Sequence, residues 1–115
     1  MGMKLSEKRI AFSELCTHLE LFLLFEGVKY ASDWTLRDVR TQTNLVNSGA
    51  SQTMHSLHLK GLAKDYLLYD EMGSYIKDGD HPYYKMLGKR AKELGLVWGG
   101  DWTFNDAGHV EWSDA

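Results

Sequence analysis

The chain has 115 residues, 43% of them hydrophobic and 25% charged, with a formal net charge of -3 at pH 7. This length and composition predict one compact domain, residues 1–115, with a buried core, and they exclude a disordered chain. The acidic balance lacks the basic surface typical of nucleic-acid binders, so we expect no nucleic-acid partner and no electrostatic attraction to an anionic membrane.

The N-terminal segment, residues 1–9, is charged and lacks the apolar core of a signal peptide. We therefore expect the protein to be made in a cytoplasm without a signal peptide. The longest apolar stretch, Leu19–Phe25, is broken by Glu20 and followed by Glu26, and it falls well short of the roughly 20 residues that a membrane span requires. Stable membrane insertion is not expected.

A long helix is predicted to begin at Ser6, with Ser6 as its N-cap, and to end at Gly27. Apolar residues recur at helical spacing and predict its buried side, namely Phe12, Leu15, Leu19 and Phe22. Cys16, the only cysteine, lies in the same stretch, which predicts a buried free thiol and excludes an intrachain disulfide. An extended segment at Val28–Trp34 and a short helix at Leu36–Asn47 follow.

The second half of the chain is richer in strand signals. Leu62–Tyr69 reads LAKDYLLY, and its alternation predicts a strand with one face made of Ala63, Asp65 and Leu67. The polar, glycine-containing stretch Asp70–His81 predicts a loop or an irregular hairpin around Tyr75, in which His81 is solvent-exposed.

A second helix is predicted at Tyr83–Leu94, with Gly95 as its C-cap and a buried side formed by Leu87, Ala91 and Leu94. Short strands are predicted at Leu96–Trp98 and Gly108–Trp112. Helices and strands do not alternate regularly. The order therefore favours an α+β domain with a small antiparallel sheet flanked by helices.

His58 and Asp65 are the first residues that could carry chemistry. Imidazole and carboxylate are both competent zinc ligands, and Gly61 between them would let the chain turn from a loop into the strand. Asp65 lies among apolar neighbours, where a lone carboxylate is costly unless it is paired or metal-bound. From spacing alone, a second interpretation stays open: Asp65 pairs with a Lys or Arg, and His58 is an ordinary loop histidine.

The C-terminal segment offers a third ligand. In a strand at Gly108–Trp112, His109 and Glu111 share one face, and Asp106 stands where the chain enters that strand. Three protein ligands with an open position for water are typical of a catalytic zinc site rather than a structural one. Combined with His58 and Asp65, His109 would complete such a set.

These residues resemble a known family. The run SLHLKGLAKD, residues 56–65, resembles the Ser-x-His-x-x-Gly-x-Ala-x-Asp signature of the zinc D-Ala-D-Ala carboxypeptidases and L-alanyl-D-glutamate endopeptidases, which include many phage endolysins. Asp106 and His109 resemble its second signature, Asp-x-x-His. The segment from Arg40 to Leu45, with Gly49 and Ser51, resembles the part that carries the family's arginine. The likeness extends over residues 34–112.

The resemblance implies a hedgehog/DD-peptidase-like zinc peptidase fold and a role for each matched residue. His58, Asp65 and His109 would bind Zn²⁺. Asp106 would be the general base that takes a proton from the attacking water, and Arg40 would stabilise the oxyanion. For Arg40 the alternative is a surface charge on a short helix.

The sequence departs from the family pattern in places. Lys64 and Tyr66 stand where more apolar residues are common, but strand alternation points both away from the metal. The base is an aspartate where many relatives use glutamate, so Glu111 is an alternative base. His55, three residues before His58, lies outside the signature and is not expected to be a ligand.

Three tryptophans lie in sequence near the proposed site, namely Trp98, Trp102 and Trp112. Core and rim packing is the first interpretation, and a platform for a glycan or a stem peptide is the second.

The function implied by the resemblance is hydrolysis of peptidoglycan stem peptides at the L-Ala-D-Glu bond by a monomeric phage-type endolysin. Such an enzyme would reach the wall through a holin-type membrane lesion. The first alternative is a D-Ala-D-Ala carboxypeptidase, with the loops at Asp70–His81 and Asp101–Asn105 selecting the bond. An alternative of another class is a non-catalytic, zinc-stabilised wall-binding domain.

Overall fold

The computed structural model describes residues 2–32 and 57–114. The predicted helix at Leu36–Asn47, together with Arg40 and His55, lies outside the described residues. The elements are α1 (Leu5–Phe25), β1 (Lys29–Ser32), β2 (Ala63–Tyr69), α2 (Pro82–Glu93), β3 (Val97–Trp98) and β4 (His109–Glu111). The two helices pack against each other and against a four-stranded antiparallel sheet of order β1-β2-β4-β3. The predicted α+β architecture is confirmed.

The N-cap of helix α1 lies two residues before the predicted one. Lys4 is the N-cap, and its backbone N–H donates to Glu7 Oε1 at 3.0 Å, so Ser6 lies inside the first turn and the prediction for it is wrong. The Glu7 carboxylate satisfies an N–H that the helix leaves unpaired and lies at the positive end of the helix dipole.

The predicted end of α1 at Gly27 is confirmed. Gly27 has a φ of 74°, and the N–H of Val28 donates to the carbonyl of Leu23 at 2.9 Å. This is the Schellman arrangement, which glycine allows because it has no Cβ to clash in the left-handed region. The turn directs the chain into β1.

The side chains of α1 form much of the core. Of the four predicted residues, Phe12 and Leu19 are buried, whereas Leu15 and Phe22 are partly buried. Cys16 and Leu23 complete the buried stripe. The stripe packs against the sheet face that carries Tyr66, Leu68 and Val110.

The side chains of strand β2 alternate between the face that packs on α1 and the opposite face. Lys64 and Tyr66 are on the α1 side, where Lys64 Nζ and the Tyr66 hydroxyl both contact Glu20 Oε2, at 2.6 and 2.7 Å. Because side chains alternate along a strand, Asp65 points to the opposite face. The prediction that Lys64 and Tyr66 point away from the proposed site is confirmed.

The stretch between β2 and α2 is an irregular hairpin, as predicted. Tyr69 pairs with Tyr75, and the carboxylate of Asp70 accepts from the N–H groups of Met72 and Ser74, each at 2.9 Å. The side chain of Ile76, in the returning arm, is buried in the core.

Helix α2 begins at Pro82, and His81 is its N-cap rather than an exposed loop residue. The ring Nδ1 of His81 accepts from the N–H of Tyr83 at 3.0 Å, which leaves the side chain half-buried. The prediction for His81 is wrong because the capping bond holds the ring against the first turn of the helix. At the other end Leu94 is the C-cap, and Gly95 follows it.

No helix in residues 2–32 and 57–114 is long and apolar enough to cross a membrane.

Candidate metal centre

The site is built on the pairing of β2 with β4. In this antiparallel pair Asp65 lies directly opposite His109. Directly opposed residues in antiparallel strands project their side chains to the same face, close together. The register therefore brings together two residues that are 44 positions apart in the sequence.

His58 reaches the same place from a 3₁₀ turn, Leu57–Lys60, that precedes β2. Gly61, with a φ of 73°, reverses the chain after the turn, as its position between His58 and Asp65 predicted. Helix α1 holds the turn from outside, because Arg9 Nε donates to the carbonyl of Lys60 at 2.7 Å. The turn is thus fixed to both the sheet and α1.

The three side chains converge. His58 Nε2 lies 3.1 Å from Asp65 Oδ2, and His109 Nδ1 lies 2.9 Å from Asp65 Oδ1. One candidate ligand atom from each residue lies within 4.8 Å of the others, and both histidines are buried. Two imidazole nitrogens and one carboxylate oxygen are donors suited to a divalent metal such as zinc. The group therefore fits a metal ion.

The protonation of this group follows from its contacts. Burial lowers the pKa of His109, but hydrogen bonds to Asp65 and Glu111 outweigh it and raise that pKa to about 9. Burial raises the pKa of Asp65, yet hydrogen bonds from His109 and His58 outweigh it and lower that pKa well below its usual range. Without a metal, the site is therefore a buried imidazolium–carboxylate pair at neutral pH.

Asp106 stands on the side of His109 that faces Asp65. Its Oδ2 lies 3.9 Å from His109 Nδ1, and 47% of its side chain is exposed. A turn fixes this placement, since the N–H of His109 donates to the Asp106 carbonyl at 3.0 Å. A half-exposed carboxylate beside the candidate metal group can exchange protons with water or with a bound substrate.

Glu111 occupies the other side of the same ring. Its Oε1 lies 2.7 Å from His109 Nε2, the nitrogen that points away from Asp65. Alternation along the strand predicted that His109 and Glu111 share a face. It could not predict which ring nitrogen Glu111 contacts, because that depends on the rotation of the imidazole.

The three tryptophans differ in their surroundings. Trp98 donates from Nε1 to the carbonyl of Ala107 at 2.7 Å, and Trp98 and Trp112 pack against the core. Trp102 is 37% exposed, and the centroid of its ring lies 4.9 Å from that of His109. Core packing thus describes two of the three, whereas Trp102 covers one side of the candidate metal group.

Comparison with known proteins agrees with this arrangement. A family model described as D-alanyl-D-alanine carboxypeptidase matches residues 49–112. The chain is 40% identical over 92 residues to an L-alanyl-D-glutamate peptidase of Listeria phage A118. The aligned region covers 76% of this chain and 31% of that protein. The L-Ala D-Glu endopeptidase ChiX of Serratia marcescens superimposes with a TM-score of 0.71 at 30% identity, over 88% of this chain and 79% of ChiX.

The structure is a small α+β domain with a candidate His-Asp-His metal group, and its fold matches that of ChiX. The chain belongs to the D-alanyl-D-alanine carboxypeptidase family of peptidases, because the family model matches more than half of it. The resemblance inferred from the two signatures is therefore confirmed. The chain spans about 31% of the length of the Listeria phage relative.

Proposed function

We propose that the protein is a zinc-dependent peptidase that hydrolyses peptidoglycan stem peptides at the L-Ala-D-Glu bond. The observation that carries the proposal is the convergence of His58, Asp65 and His109, with Asp106 on the same side of the His109 ring. The names of the phage and Serratia relatives support the choice of bond, since both are described as cutting between L-Ala and D-Glu.

In this proposal His58, Asp65 and His109 hold the metal. When bound, zinc would polarise the scissile carbonyl and bring the pKa of the attacking water toward 7. Asp106 takes the proton of that water and returns it to the leaving amine, a role that suits its half-exposed carboxylate. Trp102 limits the access of bulk water to His109.

Arg40 is proposed to bind the oxyanion or a substrate carboxylate through its fixed positive charge. This role rests on the sequence resemblance, because Arg40 lies outside the described residues.

Two other functions are alternatives to the proposed one. Release of terminal D-Ala by a carboxypeptidase is favoured by the description of the matching family. A non-catalytic, zinc-stabilised wall-binding domain is disfavoured by Asp106, because a purely structural site is closed by a fourth protein ligand and does not need a half-exposed carboxylate beside it.

The proposed biological setting is lysis of a bacterial host by a phage or prophage. A monomeric enzyme would reach the wall after a holin-type lesion opens the membrane. The phage origin of one relative supports this setting.

Replacing Asp106 with Ala tests the catalytic assignment. We expect zinc content to stay near one ion per chain, while release of fragments cut at L-Ala-D-Glu falls by about 10²- to 10⁴-fold, the usual contribution of general acid–base catalysis. Mass spectrometry of fragments from purified peptidoglycan measures the bond and the rate. Glu93→Ala is the matched control, because Glu93 is a half-exposed carboxylate that pairs with Arg90 at the end of α2.

The products also separate the alternatives. Release of D-Ala alone would reassign the enzyme as a carboxypeptidase. Absence of both zinc and cleavage in the unaltered protein would overturn the proposal.

A further inference from the structure

Glu111 is a largely buried carboxylate that the proposed mechanism does not use. Its side chain is 22% exposed, and its Oε1 lies 2.7 Å from Nε2 of His109, whose own side chain is 6% exposed. The contact joins two residues on the same face of β4. Two strands flank it, because Glu111 pairs with Ala63 of β2 and Val97 of β3.

This position excludes Glu111 as the general base. The two nitrogens of an imidazole point to opposite sides of the ring, and Asp65 and Asp106 both lie on the Nδ1 side. The Glu111 carboxylate binds the Nε2 side. It is therefore separated by the whole ring from the space that the candidate ligand atoms enclose.

The contact has a chemical consequence for His109. A neutral imidazole carries one N–H, and a carboxylate next to Nε2 stabilises the tautomer that has the hydrogen there. The lone pair of Nδ1 is then directed toward Asp65 and the metal. A carboxylate that accepts from the distal N–H also increases the basicity of a ligating imidazole and fixes its rotation.

We propose that Glu111 is a positioning residue, which fixes the ring and the tautomer of His109 so that Nδ1 binds the metal. The proposal rests on the metal site of the proposed function. In the described residues the carboxylate of Glu111 has one ion-pair contact, to His109.

Zinc affinity is the direct test, measured by competition with a chromophoric chelator. We expect Glu111→Ala to weaken zinc binding by about 10- to 100-fold, the usual effect of losing such a partner. Glu111→Gln should lose less zinc affinity than Glu111→Ala, because the amide oxygen of Gln can still accept a hydrogen bond from Nε2–H of His109. Glu93→Gln is the control and should bind zinc like the unaltered protein.

Nitrogen NMR of the zinc-loaded unaltered protein and of the zinc-loaded, folded Glu111→Ala variant gives a readout that a merely structural role would not move. We expect one His109 species, with its hydrogen on Nε2, in the unaltered protein, and in Glu111→Ala a second species in which Nε2 binds zinc and Nδ1 carries the hydrogen. A hydrogen on Nδ1 in the unaltered protein would overturn the proposal, and so would equal zinc affinity in the unaltered protein and the folded Glu111→Ala and Glu111→Gln variants. Because Gln keeps the size of Glu, Glu111→Gln serves as the test if the Ala variant does not fold.

The same experiment separates the two proposals. An unaltered protein that binds no zinc would overturn the metal site and with it the proposed function. Tight zinc binding that does not depend on Glu111 would overturn only the positioning role.

Discussion

Asp65 is a carboxylate in a strand whose neighbouring residues are mostly apolar, and a charge in such surroundings requires a partner. Its carboxylate contacts two histidines, with one oxygen near His58 Nε2 and the other near His109 Nδ1. Both histidines are buried, with exposures of 3% for His58 and 5% for His109.

Cys16 is a second residue whose environment was predicted correctly. The thiol is 3% exposed on the buried side of α1. Burial raises its pKa to about 11, although a hydrogen bond with Tyr66 acts in the opposite direction. The thiolate is therefore scarce at neutral pH, and the sulfur is shielded from reagents.

We accordingly predict that Cys16 reacts slowly while the protein is folded. At pH 8 the shift of about two pKa units reduces the thiolate about 100-fold relative to an unperturbed thiol, and burial slows the reaction further. Alkylation by iodoacetamide, followed by mass spectrometry, measures the rate. The same protein unfolded in guanidinium chloride is the control, and equal rates in the two states would contradict the prediction.

At the scale of elements, the close approach of β4 to β2 determines whether Asp65 and His109 can meet. The N–H of Tyr66 donates to the carbonyl of Gly108 at 2.8 Å, immediately before His109. A Cβ at position 108 would collide with the carbonyl oxygen of Tyr66. Glycine at this position therefore allows the two strands to come close enough for Asp65 and His109 to meet.

Replacing Gly108 with Ala should push β4 away from β2. We expect the free energy of unfolding to fall by about 1–3 kcal/mol, the usual cost of overpacking, and zinc binding to weaken as Asp65 and His109 separate. Urea unfolding and zinc titration measure the two effects. Gly2→Ala is the control, because no atom lies within 4 Å of its added Cβ.

An unchanged unfolding midpoint together with unchanged zinc affinity in Gly108→Ala would show that the strands tolerate the methyl group. The close packing of β2 and β4 would then not be what positions the two ligands.

At the scale of the whole molecule, the proposed ligands come from three separate elements. His58 lies on the turn before β2, Asp65 on β2 itself and His109 on the C-terminal strand. An ion held by all three would cross-link segments up to 51 residues apart. Such a site exists only in the folded chain, so metal binding should stabilise the fold.

We therefore predict that zinc raises the melting temperature. A concentration 100 times the Kd adds about 2.7 kcal/mol, which corresponds to a shift of roughly 10 °C or more for a domain of about 100 residues. Differential scanning calorimetry with zinc and with a chelator measures the shift. Asp65→Asn should abolish it, and an equal shift in that variant would contradict a site built on Asp65.

Much of this protein follows from the sequence alone. Helical spacing defined α1 and the buried side of α2, alternation defined β2, and two signatures supplied His58, Asp65, Asp106 and His109 as a set. The helices and the strand follow from residues that are close in sequence, where the periods of helix and strand leave a direct trace. The set of four site residues followed from the family resemblance and not from periodicity.

The tertiary structure decided the rest. The order β1-β2-β4-β3, the pairing of Asp65 with His109, and the side of the imidazole that Glu111 contacts all depend on cross-strand register and ring rotation. The N-cap of α1 and the surroundings of His81 also differed from prediction, because several polar groups near a helix start can compete for the same unpaired N–H groups. Register and rotation are set by contacts between segments far apart in the chain, so no local pattern encodes them.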